Sequence, residues 1–164
     1  MKNDTVNRLA ERLKEPVRAF VQDSRVRIAL LVNQVGQVLA QHGFTGGYQV
    51  VDVAALAAAA NASARALAGL TGAERWTHLH HAGKERHLFL APFDTPAGEL
   101  ILVAIFDQDS SLGLVQHFFE RLAREVAGLP ELQAPQPLTD AATFERELEA
   151  GLQDILYRAV ASED

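Results

Sequence analysis

The chain has 164 residues, 48% of them hydrophobic, and carries a net charge of −6 at pH 7 with no cysteine. That length accommodates one domain with a sizeable core plus an appendage. The lack of cysteine excludes disulfides, thiolate metal sites and thiol nucleophiles, and the acidic balance argues against non-specific nucleic-acid binding, which needs a basic face.

The N-terminal segment shows no targeting signal, because MKNDTVNRLAERLKE alternates charged residues with single apolar ones. The longest apolar stretches, residues 28–32 and 100–106, have the length of strands and are too short to span a bilayer. We therefore expect a cytoplasmic protein that does not insert into membranes.

A first helix is predicted from apolar residues spaced three and four apart, with Asp4 or Thr5 as its cap. Pro16 falls inside this pattern and predicts a kink or a break near Glu15. The apolar positions are Val6, Leu9, Leu13, Val17 and Phe20.

An antiparallel hairpin is predicted next, from the β-rich residues 25–32 and a returning strand at 37–42. A glycine-containing connection leads into an alanine-rich helix over residues 50–70. Asp52 is placed to cap this helix and Gly72 to end it.

A second hairpin pairs residues 74–82 with 85–92 across a two-residue turn, Gly83-Lys84. Residues 99–106 are apolar on both faces, which predicts a central strand covered on both sides. Serines after this strand are placed to cap a helix over residues 112–127, whose apolar stripe is Val115, Phe118 or Phe119, Leu122 and Val126.

Three prolines at 130, 135 and 137 predict a short, semi-extended linker. We divide the chain into a domain at 1–128, a linker at 129–139 and an acidic amphipathic helix at 140–164. The apolar face of that last helix contains Phe144, Leu148, Leu152 and Ile155. Two placements stay open: the helix covers a groove on its own domain, or it lies on a partner, which the linker and the change in charge favour.

The order of elements, α-β-β-α-β-β-β-α, predicts an α+β sandwich with helices on both faces of one five-stranded antiparallel sheet. A C-terminal amphipathic helix follows this domain.

The alanine-rich helix is the most informative segment for function. At about 100° per residue, one side gathers Val53, Leu56, Ala60, Leu67 and Leu70. The opposite side carries Ala55, Ala58, Ala62, Ala66 and Gly69, with Ala59 and Arg65 at its margins. A helix that only covered a sheet would have charged residues on its outer face, so we interpret the small-residue side as a docking surface. The alternatives are alanines chosen for helix propensity or a helix buried within its own chain.

Several strings resemble the roadblock/dynein light chain family, and within it the bacterial MglB branch. They are IALLVNQVGQVLAQHG in the first hairpin, NASARALAGLTGAERW in the alanine-rich helix and, most specifically, LILVAIFDQDSSLGLVQHFFERLAREV. The resemblance covers residues 25–129, and a linker followed by an acidic amphipathic helix is also similar to MglB.

The resemblance implies a homodimer whose alanine-rich helices lie side by side across a joined sheet. It further implies binding of a Ras-like small GTPase similar to MglA, and stimulation of GTP hydrolysis in gliding motility or cell polarity, with a location at a cell pole. In that family the activator reorganises the catalytic residues of the GTPase and supplies no finger of its own. The alternative is a roadblock scaffold dimer that bridges other proteins and leaves GTP turnover unchanged.

The chain shows no enzyme motif or cofactor motif. Arg65 is a candidate arginine finger, but an ordinary contact at the rim of the docking surface is favoured because the resembled family needs no finger. No phosphate-binding glycine loop and no GxSxG turn occur, and Ser110 and Ser111 stand where a helix cap is needed. We therefore predict a regulator without an active site and without a cofactor.

Histidines on the second hairpin are a candidate metal site. Across the predicted turn His80 falls opposite His87, and His78 lies two residues along the same face. Three imidazoles so placed are potential ligands of Zn²⁺ or Ni²⁺. Since cysteine is absent and the nearby glutamates fall near strand ends, a polar stripe on an edge strand or a dimer seam is favoured over a metal site.

Overall fold

The computed structural model describes residues 2–44 and 46–134 of the chain. It has eight main elements and one 3₁₀ turn in chain order. They are α1 (Lys2–Ser24), β1 (Ile28–Asn33), β2 (Val38–Gly43), α2 (Val50–Thr71), β3 (Leu79–Ala82), β4 (His87–Thr95), β5 (Gly98–Phe106), α3 (Leu112–Ala127) and the turn η1 (Pro130–Leu132).

All five strands form one antiparallel sheet in the order β2-β1-β5-β4-β3. Helices α1 and α3 cover one face and α2 covers the other. The predicted α+β sandwich and its order of elements are therefore confirmed. Strand β5 lies at the centre with both its faces buried, as its unbroken apolar sequence predicts.

The two faces of the sheet have different cores. Large side chains such as Leu13, Phe20, Phe89, Phe106 and Leu122 fill the space beneath α1 and α3. Beneath α2, by contrast, branched side chains of the strands meet alanines of the helix. On the helix side the second core is therefore built from smaller side chains than the first.

Helix α1 continues through Pro16, so the break expected near Glu15 is wrong. Pro16 itself is buried, and Leu13 and Val17 on either side of it are fully buried in the same core. An interior proline costs a helix about 3 kcal/mol, whereas each buried apolar side chain contributes about 1.5–3 kcal/mol. Packing against the sheet therefore outweighs the local preference.

The second hairpin has a different register from the predicted one. Ala82 pairs with His87 and His80 pairs with Phe89, so four residues rather than two connect the strands. The connection is closed by the Gly83 N–H, which donates to the Arg86 carbonyl over 3.0 Å. Because the shift is two residues, each side chain keeps its predicted face. Strand β3 also has only four residues.

Three predicted helix ends are found where the sequence places them, and two predicted caps are wrong. Helix α1 begins at Lys2, so neither Asp4 nor Thr5 is its cap. Gly72 ends α2 in the left-handed conformation, with φ of 72°, and the Ser111 side chain caps α3 by accepting from the Leu114 N–H over 3.2 Å. Helix α3 spans the predicted residues. Helix α2, however, begins at Val50, so Asp52 lies in its first turn and is not its cap.

The first part of the predicted linker is packed on the domain. Leu132 in η1 is fully buried in the core beneath α1, and Glu131 lies 3.5 Å from Arg12 of α1. An apolar side chain at this position anchors residues 130–132, which were expected to be extended. The remainder of the linker and the acidic helix with Phe144, Leu148, Leu152 and Ile155 lie outside the described residues.

Candidate docking surface on the second helix

Helix α2 places its smallest side chains against the sheet. Its buried residues are Ala54, Ala57, Ala58, Asn61 and Ala68. Ala58 was predicted on the docking side, and that placement is wrong because Ala58 packs on the helix's own domain. Only small residues fit between the α2 backbone and the branched side chains of β1 and β5.

The outer face of α2 carries both small and large apolar residues. Leu56, Leu67 and Leu70, expected opposite the docking side, are 71%, 46% and 85% exposed. The exposed alanines and the exposed glycine of α2, which we call the alanine stripe, are Ala55, Ala59, Ala62, Ala66 and Gly69. We call Leu56, Leu67 and Leu70 the leucine stripe. Exposed charges on α2 are limited to Asp52 and Arg65, so a broad apolar surface faces outward.

The two stripes lie on different sides of the helix axis. Ala62 lines a cleft of about 240 Å³ together with Gln34 and Val35 of the β1–β2 turn. Ala64 and Ala68 instead line a smaller cleft with Trp76 and Pro92 near β3 and β4.

At about 100° per residue, Leu56 and Leu67 fall on the same side of α2 as Ala64. Leu56 and Leu67 therefore lie towards the β3 edge of the sheet, whereas Leu70 lies between them and the alanine stripe. The alanine stripe lies towards the β1–β2 turn.

A buried carboxylate fixes α2 to the β4–β5 hairpin. The Glu99 side chain is 9% exposed and accepts a hydrogen bond from Asn61 Nδ2 over 3.0 Å. The guanidinium groups of Arg65 and Arg75 also donate to Glu99, Arg75 over 2.9 Å. Arg75 donates in addition to Asp94 over 2.5 Å. A charged acceptor with several donors is stable in this position, whereas an unpaired one would be costly.

Arg65 is therefore held at the rim of the alanine stripe with its side chain 56% exposed. Sequence reasoning identified Arg65 but missed Glu99, which is 34 residues away. Glu99 is the second residue of the apolar strand β5, and nothing in its local sequence indicates that an arginine and an asparagine of α2 converge on it.

The histidines of the second hairpin form contacts with each other and with aromatic rings. His80 Nε2 lies 3.0 Å from His87 Nδ1, and His78 Nε2 lies 3.1 Å from the Gln116 amide nitrogen of α3. Across residues 2–44 and 46–134, no three histidine or carboxylate side chains are grouped with the geometry of a metal site. His78 and His80 are thus engaged with different partners.

The loop after β5 is a structural junction. Arg27 donates to Asp107 over 2.5 Å and to Asp109 over 2.7 Å, while the Asp109 N–H donates to Asp107. The backbone hydrogen bond and the Arg27 guanidinium lower the pKa of Asp107. Ser111 caps α3 as predicted, whereas the Ser110 hydroxyl donates to the Ser24 carbonyl over 2.5 Å. These contacts tie the loop to the end of α1.

By length and composition, α2 is also apolar enough to cross a membrane, a property the sequence reasoning overlooked. Its alanines pack on β1, β4 and β5. Part of the apolar character of α2 is therefore explained by its packing in the folded core. The leucine stripe and the alanine stripe are parts of α2 that this core leaves uncovered.

The sequence matches the Roadblock/LC7 domain over residues 13–106. The chain belongs to the Roadblock/LC7 family. Among solved structures it is similar to MglB of Myxococcus xanthus, with 25% identity over 70% of this chain and 91% of that one and a TM-score of 0.64. It is also similar to the gliding protein MglB of Thermus thermophilus, with 28% identity, coverage of 71% and 87% and a TM-score of 0.62.

A third similar structure is an MglB with a tetrameric arrangement, at 29% identity, coverage of 71% and 86% and a TM-score of 0.63. None of the curated proteins matches the sequence. The roadblock fold and the MglB-like neighbours indicate a regulator rather than a catalytic enzyme, and they indicate that the protein acts through protein partners.

Proposed function

We propose that this protein is a homodimer that binds a Ras-like small GTPase of the MglA type and stimulates its GTP hydrolysis, in cell polarity or motility. The observation that carries the proposal is the outer face of α2. On that face leucines and alanines are exposed over a helix of 22 residues. Similarity to MglB supports the assignment of partners.

Self-association is assigned to the side of the leucine stripe. Leu56 and Leu67 lie towards the edge at which β3 pairs only with β4 in the described part of the chain, and Leu70 is exposed on the same outer face of α2. A second copy placed there pairs strand with strand and helix with helix, because a two-fold axis brings identical surfaces together. Burying an exposed leucine contributes about 1.5–3 kcal/mol, so three leucines from each copy give a substantial driving force.

The GTPase is assigned to the alanine stripe. A surface of alanine and glycine presents little beyond the helix backbone, so a partner approaches it closely over several turns. Arg65 and the cleft beside Ala62 border the stripe and add polar groups at its rim. An apolar centre with a polar rim is the usual composition of a protein interface.

Stimulation of hydrolysis needs no residue of this chain at the phosphates. Arg65 is paired with Glu99 at the rim, which favours a contact role over that of a finger. Holding the switch segments of the GTPase in one arrangement positions its own catalytic groups, and positioning is the main source of catalysis in phosphoryl transfer. The acidic helix, with Phe144, Leu148, Leu152 and Ile155, is proposed as a second contact.

Single-turnover GTP hydrolysis by an MglA-like GTPase tests the proposal. We expect the wild-type protein to accelerate hydrolysis and Ala62→Arg or Ala66→Arg to abolish both binding and acceleration, because arginine prevents close approach. The matched control is His117→Arg, which adds the same side chain to an exposed position on α3.

Two results would count against parts of the proposal. Unchanged acceleration by both alanine-stripe variants contradicts the docking assignment. Binding without acceleration by the wild-type protein identifies a scaffold instead of an activator. Removal of residues 130–164 is expected to weaken the interaction, but because Leu132 is buried, truncation after residue 134 is the better design.

A further inference from the structure

The outermost hairpin gathers four of the six histidines of the chain, His78, His80, His81 and His87. The His80 and His87 rings are nearly parallel, at 13°, and a hydrogen bond of 3.0 Å joins their facing nitrogens. Both rings also stack on Phe106, with centroid distances of 5.9 and 4.9 Å. The pair thus joins β3 to β4 and to the aromatic core beneath α3.

The hydrogen bond depends on the number of protons that the pair carries. A neutral imidazole has one N–H donor and one acceptor nitrogen. The neutral pair therefore forms one N–H···N bond, and a singly protonated pair keeps an acceptor. When both rings are protonated, an N–H stands on each facing nitrogen, and the contact becomes repulsive. The second proton is therefore incompatible with the observed geometry.

The surroundings of His80 favour its neutral form. Burial lowers the pKa of His80, and the neighbouring imidazoles of His87, His78 and His81 lower it further. The remaining charged neighbours are Lys84, Glu85 and Arg86 on the turn, Asp107, which is paired with Arg27 after β5, and Glu120 of α3, which lines a cleft with His78. Acid thus accumulates imidazolium charges on a hairpin that already carries Lys84 and Arg86.

Strand β3 has few other attachments. It contains four residues and pairs with β4 alone within the described residues. Just before β3, His78 stacks on Phe89 at 5.3 Å and is hydrogen-bonded to Gln116 of α3. Besides the backbone ladder to β4 and the packing of Leu79 beneath α2, the imidazole contacts are what hold β3 and the residue before it on the described domain.

We propose that the His80–His87 pair is a proton-sensitive latch that fixes β3 on the sheet at neutral pH and releases it in acid. Where β3 forms the seam between two copies, the same proton also weakens self-association. This second consequence rests on the proposed function, whereas the release of β3 does not.

Hydrogen exchange of the β3 amides in the full chain between pH 8 and 5, corrected for intrinsic exchange, tests the latch. We expect the protection of wild-type β3 to fall by up to about tenfold per pH unit once the second proton binds. The variants His80→Gln and His87→Gln each keep a polar partner that does not titrate. The protection of their β3 amides is therefore expected not to change between pH 8 and 5. The control His117→Gln keeps the wild-type slope.

The proposal is overturned if the protection of the β3 amides does not change with pH in the wild type, or if it falls with pH as in the wild type in both His80→Gln and His87→Gln. An NMR titration in which His80 and His87 protonate independently near the ordinary value of 6.5 for histidine also overturns it. Sedimentation at the same pH values tests the proposed dimer separately from the release of β3. A protein that is monomeric at every pH refutes the dimer, while the exchange data still decide whether the histidine pair releases β3.

Discussion

Helices α2 and α3 cover opposite faces of one sheet with opposite distributions of side chains. In α3 the buried residues are Val115, Leu122 and Val126, and the exposed positions are mostly charged. In α2 the buried residues are mainly alanines, and the leucines are exposed. The distribution in α3 is that of a helix between a core and water. That in α2 is the one expected of a helix between two packed surfaces.

The difference predicts opposite effects of the same truncation in the two helices. Leu122→Ala in α3 removes a fully buried side chain and is expected to lower the free energy of unfolding by about 2–5 kcal/mol. Leu67→Ala in α2 is expected to change the stability of the monomer by less than about 0.5 kcal/mol and to raise the dimer dissociation constant.

Urea unfolding at several protein concentrations measures both effects of these truncations. The contrast between the helices would be contradicted if Leu67→Ala lowered the free energy of unfolding as much as Leu122→Ala does, and by the same amount at every protein concentration.

A second prediction concerns how α2 is held in place. Glu99→Ala leaves the buried Asn61 amide without its carboxylate acceptor and removes the partner that Arg65 and Arg75 share, and it is expected to lower the free energy of unfolding by about 1–3 kcal/mol. Asp94→Ala removes an exposed partner of Arg75 and is expected to cost less than about 1 kcal/mol. Equal losses in thermal or urea unfolding would show that burial of Glu99 contributes nothing.

The smallest expected effect concerns the loop that precedes α3. Since the pKa of Asp107 is lowered in the folded protein, its contribution to stability is present above the ordinary value of 3.8 and is lost as the pH falls through the folded pKa. Asp107→Asn is therefore expected to be less stable than the wild type at pH 7, and the difference to shrink towards pH 3.

Asp109→Asn is the control for this loop, because it keeps the backbone N–H that donates a hydrogen bond to the Asp107 carboxylate. Denaturant midpoints at both pH values test the expectation, and a difference that is equal at pH 7 and pH 3 would contradict it.

The sequence predicts the fold well because local patterns determine most of its elements. The spacing of apolar residues identifies α1 and α3, and the unbroken run at 99–106 identifies the central strand. The error at Pro16 arises because burial in a core outweighs a local helix breaker. The error in the second hairpin arises because Gly83 suits both a two-residue and a four-residue connection.

The exposure of the outer face of α2 was predicted in part, and its role in docking stays a prediction. Periodicity places Ala62 and Ala66 on one side of α2 and Leu67 on the other. Periodicity alone does not identify the side of α2 that faces the sheet, because both sides are apolar. Residue size decides: the small residues at 54, 57 and 58 fit beneath the helix, and the leucines do not. Glu99 and the His80–His87 contact depend on strand register, which the sequence alone did not fix.

The central claim is that the outer face of α2 is covered by a second copy of the chain and by a partner. Analytical ultracentrifugation of the wild type and of Leu67→Glu, over a range of concentrations at pH 7.5, tests the first part most directly. The account predicts a wild-type particle of two 17.8 kDa chains and a folded monomer for Leu67→Glu. A wild-type monomer at every concentration would contradict it.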